Sequence, residues 1–78
     1  MAHVLSPLPG TFYMKPSPDA ALYKTPGDPV AIGDIIGLIE VMKTFIEVKA
    51  EFTGTFSAYM AEDGLPVMPG QALAEVAV

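Results

Sequence analysis

Apolar and polar positions alternate with a period of two along one stretch of the chain. Ile46, Val48 and Ala50 fall on one side, and Glu47, Lys49 and Glu51 on the other. That is the pattern of a β-strand with one buried face. The alternation lies inside a longer run, Thr44–Phe52. Four more runs rich in β-branched, aromatic or aliphatic residues accompany it: Thr11–Tyr13, Ile35–Ile39, Thr55–Ser57 and Ala72–Val78. Proline and glycine interrupt the chain too often for helices to form. Short strands with turn residues between them predict an all-β sandwich or barrel.

The pattern also repeats. Gly27–Gly33, followed by an apolar strand ending at Val41, aligns with Gly64–Gly70, followed by a strand ending at Val78. Upstream, Gly10-Thr11-Phe12 aligns with Gly54-Thr55-Phe56. Two halves of like layout predict approximate two-fold symmetry. They differ in one place. Fourteen residues (Tyr13 to Pro26) separate Phe12 from Gly27, but seven (Ser57 to Asp63) separate Phe56 from Gly64. The first half therefore carries an insertion centred on Lys15–Ala21, within residues 14–21. Pro16 and Pro18 stiffen it, and a symmetric core has no room for it, so it should protrude.

In the aligned halves Val41 matches Val78, so Met42-Lys43 closes the first half. Symmetry then puts this dipeptide at the far end of the domain from the chain termini. Its flanks read as a hairpin. With Met42-Lys43 as a two-residue loop, Val41 pairs with Thr44, Glu40 with Phe45 and Ile39 with Ile46. Such loops prefer Asn-Gly or Asp-Gly, because their central residues take positive φ. Met-Lys breaks that preference, and local rules tend to break where function overrides propensity. A lysine on a tight turn offers its amine to another protein with little obstruction. A plain solvated turn lysine has the same local sequence.

Composition narrows the classes. The 78 residues make one domain, 1–78, near the lower size limit for a self-sufficient core. Apolar residues form 51% of the chain, and there is no cysteine to brace it. One histidine, His3, leaves too few donors for a zinc site. No apolar run approaches the roughly 20 residues of a membrane span, and the start lacks the features of a signal peptide. A soluble, cytoplasmic protein is expected. With four lysines, no arginine and a net charge of −5, the chain cannot build a phosphate-binding face, which argues against nucleic acid.

The sequence resembles the biotinyl/lipoyl carrier domains, most of all the biotin carboxyl carrier domain of acetyl-CoA carboxylase. The similarity runs from Val4-Leu5-Ser6-Pro7 to Val78. Glu40-Val41-Met42-Lys43-Thr44 is similar to the biotin-attachment motif, with Lys43 in the acceptor position. The usual motif is Ala-Met-Lys-Met, and here Val41 and Thr44 replace its outer residues. The glycine pattern of the two halves is shared. Gly10-Thr11-Phe12-Tyr13 followed by Pro16-Ser17-Pro18-Asp19 is similar to the "thumb" of bacterial biotin carriers, which lipoyl domains lack.

The resemblance implies a flattened β-barrel of two four-stranded antiparallel sheets, with the modified lysine on a hairpin tip. It implies covalent biotin on Lys43, attached by a biotin protein ligase. Biotin carboxylase and a carboxyltransferase, as in fatty acid biosynthesis, would be the further partners, and the isolated domain would be a monomer that performs no catalysis. It also suggests that Pro16, Ser17, Pro18 and Asp19 contact the biotin or restrict its arm. Two other readings of the chain are a lipoyl carrier and an unmodified β-sandwich adaptor with Lys43 free. Glu40 and Glu47 read as the solvated face of the hairpin. Lys15, Lys24 and Lys49 are alternative acceptors that sit at no symmetric tip, and Met14, Met60 and Met68 read as core or edge residues.

Overall fold

A computed structural model describes all residues from Met1 to Val78. It contains eight strands: β1 (Ala2–Leu5), β2 (Gly10–Tyr13), β3 (Pro29–Val30), β4 (Ile35–Val41), β5 (Thr44–Lys49), β6 (Gly54–Tyr59), β7 (Leu65–Val67) and β8 (Ala72–Ala77). They form two four-stranded sheets, ordered β1-β8-β6-β3 and β5-β4-β2-β7, and all pairings are antiparallel. Adding four to each strand number, and wrapping past eight, turns the first order into the second. This is the expected two-fold symmetry, expressed as topology. Each half of the chain gives two strands to each sheet.

The symmetry extends to single hydrogen bonds. The Gly27 N–H donates to the Phe56 carbonyl at 2.9 Å, and the Gly64 N–H donates to the Phe12 carbonyl at 2.7 Å. The Gly33 N–H donates to Ala50 O at 2.9 Å, and the Gly70 N–H to Ser6 O at 2.8 Å. These are the same bonds with the halves exchanged. Side chains follow suit: Asp34 Oδ2 accepts the Ala31 N–H at 2.9 Å, and Gln71 Oε1 accepts the Met68 N–H at 3.1 Å. The two offsets that relate the halves, 37 (Gly27 to Gly64) and 44 (Phe12 to Phe56), differ by the seven inserted residues.

Inner faces of both sheets meet in one core. Phe12 and Phe56, symmetry equivalents, are fully buried beside Ile36, Ile39, Leu73 and Val76. Burial of such side chains is worth about 1.5–3 kcal/mol each, which is what holds a chain of this size folded. Tyr59 packs on both phenylalanines, with ring centroids 4.7 Å from Phe56 and 6.1 Å from Phe12. Its hydroxyl donates to Ile36 O at 2.7 Å, so the half-buried phenol is satisfied. Burial pushes its pKa up to about 12.

Three strands escaped the sequence pattern. β3 and β7 are two and three residues long and contain Pro29 and Pro66. Both are edge strands, where a missing N–H costs no ladder bond, and both are too short to show a period. β1 is a four-residue edge strand beside β8. The expected run to Phe52 stops at Lys49, because Ala50 leaves the ladder: its N–H donates to Asp34 O and its carbonyl accepts from Gly33. Val48 and Ala50 are buried as the alternation predicts, but Ile46, nearer the hairpin tip, stays 37% exposed.

Close approach of strands requires glycine at one symmetric pair. An added Cβ at Gly10 would lie 2.5 Å from Ile39 Cγ2 and 2.6 Å from Glu40 O, and one at Gly54 would run into Ala77 O. Gly54→Ala should therefore cost about 1–3 kcal/mol, read as a lower urea midpoint. An unchanged midpoint would show that the strands can part without cost. A second prediction concerns acid. The Ala31 N–H and then the Lys24 ammonium, 3.0 Å from Oδ2, hold the Asp34 carboxyl below its usual range. The Thr25 N–H and hydroxyl do the same for Asp28. Depressed carboxylates stabilise the fold above their unfolded pKa of about 3.9 and lose that contribution as pH falls through the folded value. Urea midpoints should fall below about pH 4, and less steeply in Asp34→Asn. Equal acid slopes in the two proteins would count against this role.

Candidate functional site

Strands β4 and β5 pair in the register expected from the sequence: Val41 with Thr44, Glu40 with Phe45, Ile39 with Ile46. The turn between them is the two residues Met42 and Lys43. Their φ angles are 50° and 66°, the only positive values on residues other than glycine in the chain. Two successive left-handed residues define the type I′ turn, which suits the twist of a tight hairpin. Left-handed backbone crowds a Cβ against the following carbonyl and costs about 1–2 kcal/mol per residue. The strain is thus concentrated at the one turn with a lysine at its centre.

Exposure is high there. Met42 is 93% exposed, and Lys43 and Thr44 are exposed as well. Met42 therefore contributes almost nothing to the core. The Lys43 ammonium makes no ion pair, whereas Lys24 is bound to Pro29 O and Asp34 and Lys49 lies 3.8 Å from Glu47. Exchange of the two halves carries the Met42-Lys43 turn onto the chain termini, as β4 and β5 correspond to β8 and β1.

Beneath the turn, the outer face of the sheet carries a cluster the sequence did not reveal. Glu40, half-buried, accepts a hydrogen bond from the Tyr13 hydroxyl at 3.1 Å. That bond raises the Tyr13 pKa, with the negative charges of Glu40 and Asp63 adding to it. The Tyr13 and Phe45 rings lie 6.2 Å apart at 51°. Phe45 is 57% exposed on the outer face, two residues from Lys43.

The inserted segment joins this cluster. Pro16, Ser17, Pro18 and Asp19 are all exposed and lie in a turn in which the Ala20 N–H donates to Ser17 O at 3.1 Å. Pro16, Ser17 and Pro18 line a cleft of ≈ 380 Å³ together with Tyr13, Phe45 and Asp63, while Asp19 does not. Leu38 lies on the outer face, opposite Tyr13, yet is only 9% exposed and lies outside the core cluster. It too lines the cleft. The thumb thus forms one wall of a cleft whose other wall is the sheet that bears Lys43. Lys15 also borders the cleft. His3 lies elsewhere, 3.4 Å from Glu75, on the outer face of the other sheet.

Sequence reasoning missed Tyr13, Leu38, Phe45 and Asp63 as a group. Their spacing carries no motif; the strand register and the thumb bring them together.

Comparisons with known proteins identify the family of the chain. The family model described as "Biotin-requiring enzyme" matches residues 2–76. The chain is 45% identical over 62 residues to the biotin carboxyl carrier protein of acetyl-CoA carboxylase 2, chloroplastic, of Arabidopsis thaliana, covering 80% of this chain and 24% of that protein. It is 40% identical over 70 residues to the biotin carboxyl carrier protein of acetyl-CoA carboxylase of Chlamydia trachomatis, covering 90% and 43%. The chain thus spans less than half the length of these relatives. Among solved structures, the urea carboxylase of Kluyveromyces lactis superposes with a TM-score of 0.77 at 26% identity, over 97% of this chain and 6% of that one. With nearly its whole length matched by the model and its two interlocked four-stranded sheets, this chain belongs to the biotin/lipoyl domain family of biotin-requiring enzymes.

Proposed function

We propose that the chain is a biotin carboxyl carrier domain, with Lys43 as the site of covalent biotin. The observation that carries this reading is the Met42-Lys43 turn. Two residues poorly suited to a type I′ turn occupy it, one of them an unpaired primary amine, in a chain whose relatives are named as biotin carriers. Those names favour biotin over lipoate, and an adaptor with a free lysine leaves the strained turn without a purpose.

In this reading a biotin protein ligase takes a proton from the Lys43 ammonium, and the amine attacks the acyl carbon of an activated biotinyl ester, expelling the activating group and leaving an amide. Val41 and Thr44 pair across the base of the turn and fix the direction of the side chain, while Met42 and Glu40 present a defined surface to the ligase. When carried, biotin supplies a ureido nitrogen that accepts and releases a carboxyl group. The domain would present that nitrogen first to biotin carboxylase, where the carboxyl group is added, and then to a carboxyltransferase, which takes it off. Tethering makes these visits effectively intramolecular, at local concentrations of about mM for short linkers. A rigid hairpin gives each partner a fixed shape to read, and the thumb residues Pro16, Ser17 and Pro18, which line the cleft beside Phe45, border the space in which the arm moves. The chain acts as a carrier rather than a catalyst, in an acetyl-CoA carboxylase-like assembly.

Incubation with a biotin protein ligase, biotin and ATP should raise the intact mass by one biotinyl group, and Lys43→Arg should abolish the increase. A tag that persists in Lys43→Arg would move the site to another lysine. The turn gives an independent test. Replacing Met42-Lys43 with Asn-Gly relieves both left-handed residues and should stabilise the fold by about 1–2 kcal/mol, while removing the acceptor. A denaturant midpoint that does not rise would show that the turn stores no strain.

A further inference from the structure

The thumb is the one large departure from the internal symmetry, and its attachment is specific. At Met14 the chain leaves the barrel, and at Tyr23 it returns. Both backbone groups of Met14 are engaged there. Its carbonyl accepts the Tyr23 N–H at 2.9 Å, and its N–H donates to Asp63 Oδ1 at 2.7 Å. The first bond closes the thumb on itself. The second ties its base to the loop between β6 and β7, 49 residues away along the chain. The return arm is fastened separately by the Lys24 ammonium, which donates to Pro29 O at 2.8 Å and to Asp34 Oδ2 at 3.0 Å. Between these points the only backbone bond is the Ser17–Ala20 turn. The angle at which the segment leaves the sheet is therefore set at Met14.

Symmetry supplies an internal control. The β3–β7 offset of 37 places Asp63 opposite Pro26 (63 − 37 = 26), which has no carboxylate. The barrel does not require an acid at this position. Asp63 instead lines the cleft with Pro16, Pro18, Tyr13 and Phe45. A carboxylate accepting a backbone N–H makes a shorter and stronger bond than a neutral acceptor.

We infer that Asp63 is a positioning residue: through Met14 it holds the Pro16–Pro18 wall over Phe45 and keeps the cleft formed beside the lysine turn. The inference rests on the reading of Lys43 as the carrier of biotin. A formed cleft confines the space available to the carried group on that side of the tip, and a released thumb leaves it open to water.

The test compares the parent protein with Asp63→Ala and Asp63→Asn. Intact mass first establishes equal biotin loading of Lys43. Amide hydrogen exchange and carboxylation by biotin carboxylase are then measured. In Asp63→Ala the Met14 and Tyr23 amides should exchange about tenfold faster while the strand amides keep their protection. The kcat/KM for carboxylation of the loaded protein should fall about tenfold, as expected when a positioning element is misplaced. Asp63→Asn retains an oxygen that accepts the Met14 N–H, as a weaker neutral acceptor, and should restore most of both. Unchanged exchange at Met14 in Asp63→Ala overturns the inference, and so does a freed thumb with kcat/KM within about twofold of the parent. If the parent does not load at Lys43, the proposed function falls, and the exchange comparison alone decides whether Asp63 positions the thumb.

Discussion

Neither half of this chain completes a four-stranded sheet by itself. Each sheet takes two strands from the first half and two from the second, so every buried face is completed across the pseudo-two-fold axis. Phe12 and Phe56 sit at equivalent places in the core, and their carbonyls accept from Gly64 and Gly27 of the opposite halves. A small domain without disulfides has few means of becoming rigid. Interlocking supplies one. Opening either half exposes the inner faces of both sheets together, which couples the edges of the barrel to its centre.

That coupling lets the fold carry a strained turn. The Met42-Lys43 backbone costs stability locally, and Met42 returns almost none through burial. The β4–β5 hairpin holds because Ile39 and Val48 lie in the core and the ladder is continuous to Val41 and Thr44. A lysine amine is thereby fixed in direction at its root and free at its end. The arrangement suits the proposed carrier role, in which partner enzymes would have to find the same amine in the same place.

Where the fold departs from symmetry, the departures gather on one face. The thumb, Tyr13, Leu38 and Phe45 lie on the outer side of the sheet that bears Lys43. Their symmetry equivalents in the other half, Ser57 for Tyr13 and Glu75 for Leu38, are a small polar residue and an acid paired with His3. The barrel tolerates either set. The aromatic face is therefore an addition to the fold rather than a requirement of it.

Much of this was legible from the residues alone. The repeated glycines, the matched Gly-Thr-Phe segments and the seven-residue insertion contained the symmetry, and the hairpin register followed from a two-residue loop at Met42-Lys43. These features are local or periodic, and period two is a property of the strand backbone. The edge strands β3 and β7 were not legible, because two or three residues with a proline show no period. Nor was the association of Asp63 with Met14, or of Leu38 with the thumb. Sequence determined which residues face inward and where the chain must turn. Tertiary structure alone decided which side of the barrel the insertion covers, since that depends on contacts between segments far apart in the chain, which leave no periodic trace.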